Sequence, residues 1–467
     1  MKRQEAKNLA VLAGALALLT TAPPIGAQEP EEVRTAFLHW AKESLHPVSN
    51  ADLDASTQDL APLERMIGDA SIVGLSEGIH AAAEPLIFRN RVFKHLVGHL
   101  GFNAIAIESG IVESRMLNDY VTQAKGEFHA VMKQGFSVGH DTFRQNGELI
   151  RWMREYNARL PRDAVKVQVF GIDVPGSPGN RDAARGPDTA LRSAVAYLRS
   201  VDPPAAAHMQ SRVEAFLPVL KGTNGYGDLK EAERDTLTAA IADLVSLMER
   251  NRLVYVDKSS KGDFDWAERA AIGARQTDTW FRRMPVGWKL EDGFEWTRYA
   301  NQVRDRVMAD NLEWVRSRLG PRARVLVFTA AGHLASTMVQ LPDTQVREMI
   351  PLGAHLEDRF GSDFINILNL VVNGEIKYCS ANPRRLMPLE PPPESAVETL
   401  FAAVRVPRYL LDLRGAPAPV SAWLRQVHDH WNGFGTQQFA TARAFDVVYF
   451  VSPVTSACVP ELAPQAP

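Results

Sequence analysis

The chain has 467 residues, and its 52 Lys and Arg residues nearly balance 55 Asp and Glu residues, for a net charge of −3. Apolar residues make up 45 % and charged residues 23 %, which is typical of a folded globular protein and excludes a disordered one. The absence of a basic excess argues against a nucleic-acid partner, and a single prominent apolar run argues against a multi-span membrane protein. This length predicts one large domain or two of medium size.

The first 27 residues have the pattern of a secretory signal peptide. Three basic residues precede an apolar run over 9–19, which is too short to span a bilayer, and small residues at 26–27 offer a cleavage site. Cleavage after Ala27 would leave residues 28–467; the alternative is an uncleaved N-terminal anchor. We therefore expect an exported protein, periplasmic or secreted, with no membrane span after cleavage.

The chain has two cysteines, Cys379 and Cys458. An exported protein meets an oxidising compartment, so these residues could form one disulfide; the alternative is two buried thiols. Their spacing does not predict a zinc site.

Beyond the leader, strand-like apolar runs alternate with amphipathic helical stretches. Apolar runs without in/out alternation are typical of parallel strands covered on both faces. The order of strands and helices therefore predicts an α/β fold, a parallel β-sheet core with flanking helices. The predicted strands are 70–75, 103–107, 165–172, 324–329 and 364–372, and the first predicted helices are 31–45 and 85–100.

The pattern divides the chain into four segments after the leader. The first part of the α/β core covers 28–187, and an all-helical insertion covers 188–320, which could be a lid, a cleft wall or a subdomain. The second part of the core covers 321–387. A C-terminal segment, 388–467, follows a Pro-rich hinge. Helices are predicted at 190–201, 205–220, 229–256, 265–283, 297–319 and near Ser395, and late strands at 409–413 and 445–451.

Ionisable residues follow four of the predicted strands. Glu77 and His80 come after the first, Glu108 after the second, Asp173 after the third and His333 after the fourth. Because sites in open parallel sheets form beyond the carboxyl ends of the strands, we expect these side chains to meet. The placement of four other histidines is not comparable, and they are expected to be ordinary surface or core residues: His140, His355, His428 and His430.

Glu77 and His80 lie three residues apart in a turn that enters a helix. A carboxylate beside an imidazole is the pair needed to remove a proton from water. The structural alternative is a helix N-terminus at which Glu merely favours the positive end of the dipole. Glu108 and His333 likewise have ordinary loop roles as their alternatives.

Arg89 lies on the apolar stripe of the following helix, three residues after Leu86 and four before Phe93. A guanidinium that faces a core needs a partner, because burial of an unpaired charge is costly. Glu77 and Glu108 are the candidate partners, and a purely structural salt bridge is the alternative.

The sequence at 74–78 also matches G-x-S-x-G, the nucleophile elbow of serine hydrolases, and His333 follows it in the required order. That elbow normally comes after several strands, whereas no clear strand precedes Ser76 here. A Ser76 nucleophile is therefore the less favoured interpretation.

Taken together, the segments 74–80 (GLSEGIH), Arg89, 101–108 (GFNAIAIE) and 117–121 (LNDYV) resemble the erythromycin esterase family. That family has a G-E-x-x-H turn, an arginine nine residues after the histidine, and a glutamate at the end of the next strand. Segments 170–173, 304–311 and 332–333 are also similar, and the resemblance spans roughly residues 60–380.

The resemblance implies a parallel α/β core with a large helical insertion, and hydrolysis of the lactone ester of macrolide antibiotics without a serine nucleophile. It implies that His80 is the general base that activates water and that Glu77 orients it. Glu108 and His333 complete the catalytic set, while Arg89 and Asp173 bind substrate or stabilise charge. The expected partner is a small-molecule ester or lactone, and no cofactor or metal is expected.

Two departures from the family pattern bear on the substrate. Ala330 stands where the family often has a second histidine, and Ser76 stands where glycine is usual. A binding protein that has lost turnover is therefore one alternative. A metal-dependent hydrolase is another, because two His and two Glu could bind a divalent ion, although Arg89 argues against it.

Overall fold

The computed structural model describes residues 29–137, 139–176, 188–221, 223–287, 297–341, 348–377, 386–433 and 435–458. The expected signal peptide, residues 1–27, lies outside this part of the chain, as does Cys379. Signal cleavage and a Cys379–Cys458 disulfide therefore stay predictions.

The predicted α/β fold is confirmed, and its strands form a mostly parallel sheet. In chain order the strands are β1 (His46–Pro47), β2 (Ile72–Glu77), β3 (Ala104–Gly110), β4 (Gln168–Asp173), β5 (Val325–Ala330), β6 (Val339–Gln340), β7 (Glu348–Met349), β8 (Phe364–Val371), β9 (Glu375–Ile376), β10 (Met387–Pro388), β11 (Arg408–Asp412), β12 (His428–Trp431), β13 (Thr436–Phe439) and β14 (Val447–Val451).

The helices include every helical stretch predicted from the sequence. In chain order they are α1 (Glu31–Ser44), α2 (Pro62–Ile67), α3 (Ala83–His99), α4 (Ser114–Gln123), α5 (Phe128–Gly135), α6 (Arg144–Arg159), α7 (Asp188–Val201), α8 (Pro203–Val213), α9 (Thr223–Asp228), α10 (Glu231–Arg250), α11 (Arg252–Lys258), α12 (Lys261–Phe281), α13 (Thr297–Leu319), α14 (Ala331–Leu334), α15 (Leu352–Phe360), α16 (Val397–Ala402), α17 (Ala418–Leu424) and α18 (Thr441–Ala444).

Two predicted helices are shorter than expected. The stretch 229–256 is divided at Asn251, whose side chain donates a hydrogen bond to the carbonyl of Leu247 (2.9 Å) and so ends α10. The stretch 205–220 is an α-helix only as far as Val213 and continues as turns and a short 3-10 helix. Pro218 lacks an N–H and disfavours helical backbone at the residue before it, so no α-helix runs through this position.

The central sheet has eight strands in the order β1-β11-β14-β8-β2-β5-β3-β4. The strands from β14 to β4 pair in parallel, whereas β1 and β11 are antiparallel additions at one edge. The C-terminal strands β11 and β14 thus belong to this same sheet. The division of the chain into the four predicted segments stays a prediction.

Both faces of the sheet are covered, as the unbroken apolar strands predict. In β3, Ile105 and Ile107 belong to the core on the face that carries α3, while Ala104 and Ala106 belong to the core on the other face. Successive side chains of a strand point to opposite faces, so each strand contributes to both cores. A third core lies among α7 to α13, and no strand occurs in the described residues between β4 and β5.

No helix in the described part of the chain is both long and apolar enough to cross a membrane.

Asn369 on β8 fixes the turn that follows β2. Its Oδ1 atom accepts a hydrogen bond from the Gly78 N–H (2.9 Å), and its Nδ2 atom donates to the carbonyl of Tyr449 (3.2 Å). A Cβ atom at Gly78 would lie 2.8 Å from the Asn369 carbonyl oxygen, so only glycine allows this approach.

We predict that Asn369→Ala lowers the free energy of unfolding by about 2–5 kcal/mol, because two buried backbone groups lose their partners. Chemical denaturation measures this change. Asn373→Ala is the control, since Asn373 is exposed and its side chain accepts a hydrogen bond from the Ser452 hydroxyl rather than from a buried backbone group. Similar losses in the two variants would contradict the role assigned to Asn369.

Candidate active site

The carboxyl ends of four neighbouring strands bring the predicted acidic residues together. Glu77, the last residue of β2, is in register with Ala330, the last residue of β5. On the other side of β5 lies β3, which also pairs with β4. The register of β3 against β4 shifts between Ile107 and Gly110, and Glu108 lies at this bulge. Asp173 is the last residue of β4. Three carboxylates therefore meet at one edge of the sheet, as expected for parallel strands.

Glu77 and His80 form a direct pair. The Nδ1 atom of His80 lies 2.7 Å from Oε2 of Glu77, whose side chain is only 3 % exposed, whereas that of His80 is 36 % exposed. The Oε1 atom of Glu77 is buried without a hydrogen-bond partner among the described residues. Burial opposes the charged form of His80, but the Glu77 carboxylate raises its pKa to about 9.

The backbone after His80 is constrained. Ala81 has a φ of 67°, a left-handed conformation that is unfavourable for a residue with a Cβ. Its carbonyl accepts a hydrogen bond from the Ala457 N–H (2.8 Å), and its side chain is fully buried. Contacts from the C-terminal segment therefore hold the turn that presents His80.

Arg304 on α13 joins Glu108 to Asp173. Its Nη2 atom donates to Glu108 Oε1 (2.7 Å) and to Asp173 Oδ2 (2.6 Å), and its Nε atom also donates to Asp173. The second oxygen of Glu108 accepts from the Ala330 N–H (2.9 Å). Burial opposes ionisation of Glu108, but His333, Arg304 and His80 lower its pKa well below the ordinary range. Glu108 is therefore ionised, and the oxygens of both carboxylates are largely engaged by these hydrogen bonds.

Both ring nitrogens of His333 have partners. Nδ1 lies 2.8 Å from Asp305 Oδ1, and Nε2 lies 3.0 Å from Arg304 Nη1, which donates to it. Burial opposes protonation of His333, while the Asp305 and Glu108 carboxylates raise its pKa. Nε2 of His333 also lies 3.6 Å from Glu108 Oε1, but His333 does not line the cavity described next. A direct catalytic role of His333 stays a prediction.

A small cavity opens between Glu77, Glu108, Arg89 and His140. It has about 10 Å³ of space for the centre of a water molecule, which is room for about one water. Its remaining lining is mainly apolar, from Leu86, Ile107, Phe136, Phe143 and Phe328. A larger cleft of about 680 Å³ lies among residues of α12, α13 and α15 but shares no lining residue with this cavity. The geometry of the titratable groups therefore places the site at the smaller cavity.

Arg89 faces the core, as predicted, but its hydrogen bonds differ from the expectation. It donates from Nε and Nη2 to Oδ1 of Asn90 (3.0 and 2.7 Å), and its guanidinium lies over the ring of Phe328. No carboxylate of the described residues lies within salt-bridge distance of it. Burial lowers the pKa of Arg89 to about 10, although the charge of Glu77 opposes this. Arg89 therefore brings a buried positive charge to the cavity without a direct counter-ion.

Three functional candidates were missed from the sequence. His140 begins a short 3-10 helix after the left-handed Gly139, and its ring lies 5.9 Å from that of His80. Burial, followed by the charge of His80, lowers the pKa of His140 to about 4. In the sequence, Arg304 and Asp305 stood out only as part of segment 304–311, which resembles the erythromycin esterase family. Their helix offers no local sign that one side of it reaches the sheet.

Ser76 is not placed as a nucleophile. It is buried within β2, and its hydroxyl accepts a hydrogen bond from the Asn369 N–H (2.8 Å). Since Ser76 and Glu77 are adjacent in a strand, their side chains point to opposite faces of the sheet. The G-x-S-x-G match is therefore not a nucleophile elbow.

The engaged carboxylates also limit what this site could bind. Arg304 forms ion pairs with both Glu108 and Asp173, and Arg89 adds a second guanidinium to the cavity that Glu77 lines. A divalent cation would have to displace these charges, so the residues present do not fit a metal in this cavity.

Fold and site together define an α/β protein with a carboxylate–histidine pair at the carboxyl edge of its sheet, an arrangement suited to acid–base chemistry. The chain belongs to the erythromycin esterase family, because the family model described as Erythromycin esterase matches residues 97–454. That match begins after the Glu77–His80 turn. Membership indicates a hydrolase of the esterase class.

Individual relatives agree with this assignment. The chain is 22 % identical to erythromycin esterase type II of Escherichia coli over 338 residues, which are 71 % of this chain and 76 % of that protein. A crystal structure of a Bacillus cereus protein is similar with a TM-score of 0.75 and 22 % identity, covering 92 % of this chain and 99 % of that one. A mutant erythromycin esterase EreC in its open conformation is similar with a TM-score of 0.67 and 18 % identity, covering 89 % and 99 %. These structures share the fold.

We predict that Arg304→Met lowers the free energy of unfolding by about 3–5 kcal/mol near neutral pH, because two buried carboxylates lose their counter-ion. Arg306→Met is the control: Arg306 is 62 % exposed and pairs with Asp310 on the same helix, so it should cost under about 1 kcal/mol. Denaturation at a series of pH values measures both.

The pH dependence gives a second readout of the same variant. The pKa of Glu108 in the folded protein lies below its ordinary 4.5, so its contribution to stability is present above that pH and lost as pH falls. The difference between the parent and Arg304→Met should therefore shrink below about pH 4.5. A difference that stays constant down to acidic pH would contradict the role of Arg304 as counter-ion.

Proposed function

We propose that this protein hydrolyses a carboxylic ester or lactone with a water molecule activated by His80, without a covalent intermediate. The observation that carries the proposal is the Glu77–His80 pair: a buried carboxylate holds Nδ1, and Nε2 makes no hydrogen bond within the described residues. His80 is the more exposed partner, so its free nitrogen is the one a water and substrate can reach.

In the proposed reaction, Nε2 of His80 takes a proton from water while the water oxygen attacks the ester carbonyl carbon. The tetrahedral intermediate then loses its alkoxide, which receives the proton from His80. The products are a carboxylic acid and an alcohol, or a hydroxy acid from a lactone. Glu77 stabilises the imidazolium that forms, as a carboxylate does beside a catalytic histidine.

Residues that line the cavity beside the Glu77–His80 pair complete this assignment. The guanidinium of Arg89 has no direct counter-ion among the described residues and can stabilise the negative charge that develops on the carbonyl oxygen. The unpartnered Oε1 of Glu77 can accept a hydrogen bond from the water. His140 is a neutral imidazole across from His80 and can hold the same water. Glu108, Arg304 and His333 position this set.

The substrate class is proposed from the relatives, whose names state erythromycin esterase activity. A macrolide lactone is therefore the first substrate to test, although Ala330 replaces a histidine common in the family. Export to the periplasm or medium is also proposed, and it rests on the sequence of residues 1–27.

The first prediction is that the protein adds one water to erythromycin and that His80→Ala abolishes this reaction. Mass spectrometry of the antibiotic after incubation measures the product. His39→Ala is the matched control, because His39 is exposed and lies on α1 away from the site. Ser76→Ala should retain activity to within about tenfold, since the Ser76 hydroxyl accepts a hydrogen bond from the Asn369 N–H of β8 and points away from the proposed site.

If erythromycin is unchanged, a panel of simpler lactones and aryl esters tests the wider proposal. Turnover that disappears in His80→Ala would support an esterase of another substrate. Undiminished turnover in that variant would overturn the role of His80. A ligand-induced rise in melting temperature with no product from any ester would instead favour the binding-protein alternative.

The second prediction concerns pH. Because the pKa of His80 is about 9, its neutral, basic form is scarce at neutral pH and increases as pH rises through that value. We expect kcat/KM to rise about tenfold per pH unit and to level off near pH 9. In Glu77→Gln the inflection should move to lower pH, since the carboxylate that raises the pKa is gone. A flat profile below pH 9 would show that His80 is not the base.

A further inference from the structure

A second group of titratable residues lies away from the candidate active site. Glu64 on α2 faces His95 and His99, which are four residues apart on α3 and so lie on one side of that helix. Glu64 Oε1 is 3.2 Å from His95 Nε2 and 3.5 Å from His99 Nδ1, and the two rings stack with centroids 4.3 Å apart. The potential ligand atoms of these three residues thus all lie within 4.8 Å of one another.

His95 has a buried nitrogen without a hydrogen bond. Its side chain is 1 % exposed, and its Nδ1 atom contacts the Thr57 hydroxyl at 3.1 Å. Nε2 is buried and lies 3.2 Å from Glu64 Oε1, but it makes no hydrogen bond of good geometry with any described residue. A buried polar atom left in this way is costly unless something else occupies its lone pair.

The distances from Glu64 Oε1 to the two histidine nitrogens match those between neighbouring ligands of one metal ion. Zn²⁺ binds His nitrogen and carboxylate oxygen at about 2.0–2.2 Å in a tetrahedral arrangement, which places neighbouring ligand atoms about 3.3 Å apart. Glu64 Oε1 stands at nearly this separation from both histidines. The Thr57 contact fixes the His95 ring from its other nitrogen, as the supporting partners of metal-bound histidines do.

We propose that Glu64, His95 and His99 bind one transition-metal ion of the Zn²⁺ type, with water as the fourth ligand. The side chains of Glu64 and His99 are 41 % and 51 % exposed, so an ion and its water can enter from solvent. Two imidazoles and one carboxylate favour zinc and its neighbours over Ca²⁺ or Mg²⁺, which prefer oxygen ligands.

The position of the cluster assigns it a structural role. Arg89 lies on the same helix, ten residues before His99, which is about 15 Å along the axis. The ion would link α2 to the C-terminal end of α3, while the candidate active site lies at the other end of that helix. Metal binding should therefore stabilise the fold without entering the reaction.

The test uses untagged protein that has been stripped with a chelator and then dialysed against Zn²⁺ or Co²⁺. Elemental analysis should find one equivalent of zinc, and bound Co²⁺ should show the visible absorption of a tetrahedral site. Glu64→Gln and His99→Asn should each retain under about a tenth of an equivalent, since each removes one of three protein ligands. The rise in melting temperature that Zn²⁺ causes in the parent protein should be absent from both variants.

His39→Asn is the matched control, because His39 and Glu43 form an exposed pair at 3.6 Å that lacks a third ligand. It should bind zinc as the parent does. A parent that retains no zinc would overturn the proposal, as would full retention in Glu64→Gln and His99→Asn. Zinc lost in His80→Ala, but kept in those two variants, would place the ion at the active site and overturn it as well.

Discussion

The guanidinium of Arg304 is the charge on which the architecture of the site depends. It extends from α13, the last helix before β5, to the carboxyl edge of the sheet, where it meets Glu108, Asp173 and His333. Two carboxylates at the ends of neighbouring apolar strands would repel each other in a poorly solvated place, and the buried cation makes their ionised forms compatible. The same contact docks the helical segment onto the sheet.

This arrangement divides the site into two unlike halves. On the Arg304 side, nearly every donor and acceptor is engaged, including both nitrogens of His333 and both oxygens of Glu108. On the Glu77 side, one carboxylate oxygen and one imidazole nitrogen are left for a water or substrate. The engaged groups on the Arg304 side fix the positions of the side chains, whereas the free groups on the Glu77 side can exchange protons with a bound molecule. The proposed reaction therefore uses Glu77 and His80 as its proton-transfer pair.

The departure at Ala330 has a limited structural effect. Glu108 uses the backbone N–H of that residue, which any residue other than proline would supply. The side chain that is missing relative to the family pattern therefore changes the chemistry available to a substrate and leaves the carboxylate network unchanged. A neutral imidazole is nevertheless present at the small cavity lined by Glu77 and Glu108, because His140 reaches it from the short 3-10 helix before α6.

The sequence by itself determined the α/β class and the main strands, because apolar runs are local patterns. It also determined that Glu77, Glu108 and Asp173 approach one another, because each follows an apolar run and the carboxyl ends of parallel strands lie at the same edge of a sheet. It also identified the Glu77–His80 pair, whose members are three residues apart. Only the tertiary structure decided that Arg89 contacts Asn90 and Phe328, that Ser76 faces away from the site, and that His140 and Arg304 enter it. Some of these contacts join elements that are distant in the chain, and others depend on the face of the sheet or helix to which a side chain points. The local pattern of apolar and polar residues specifies neither the distant partner nor the direction of the side chain.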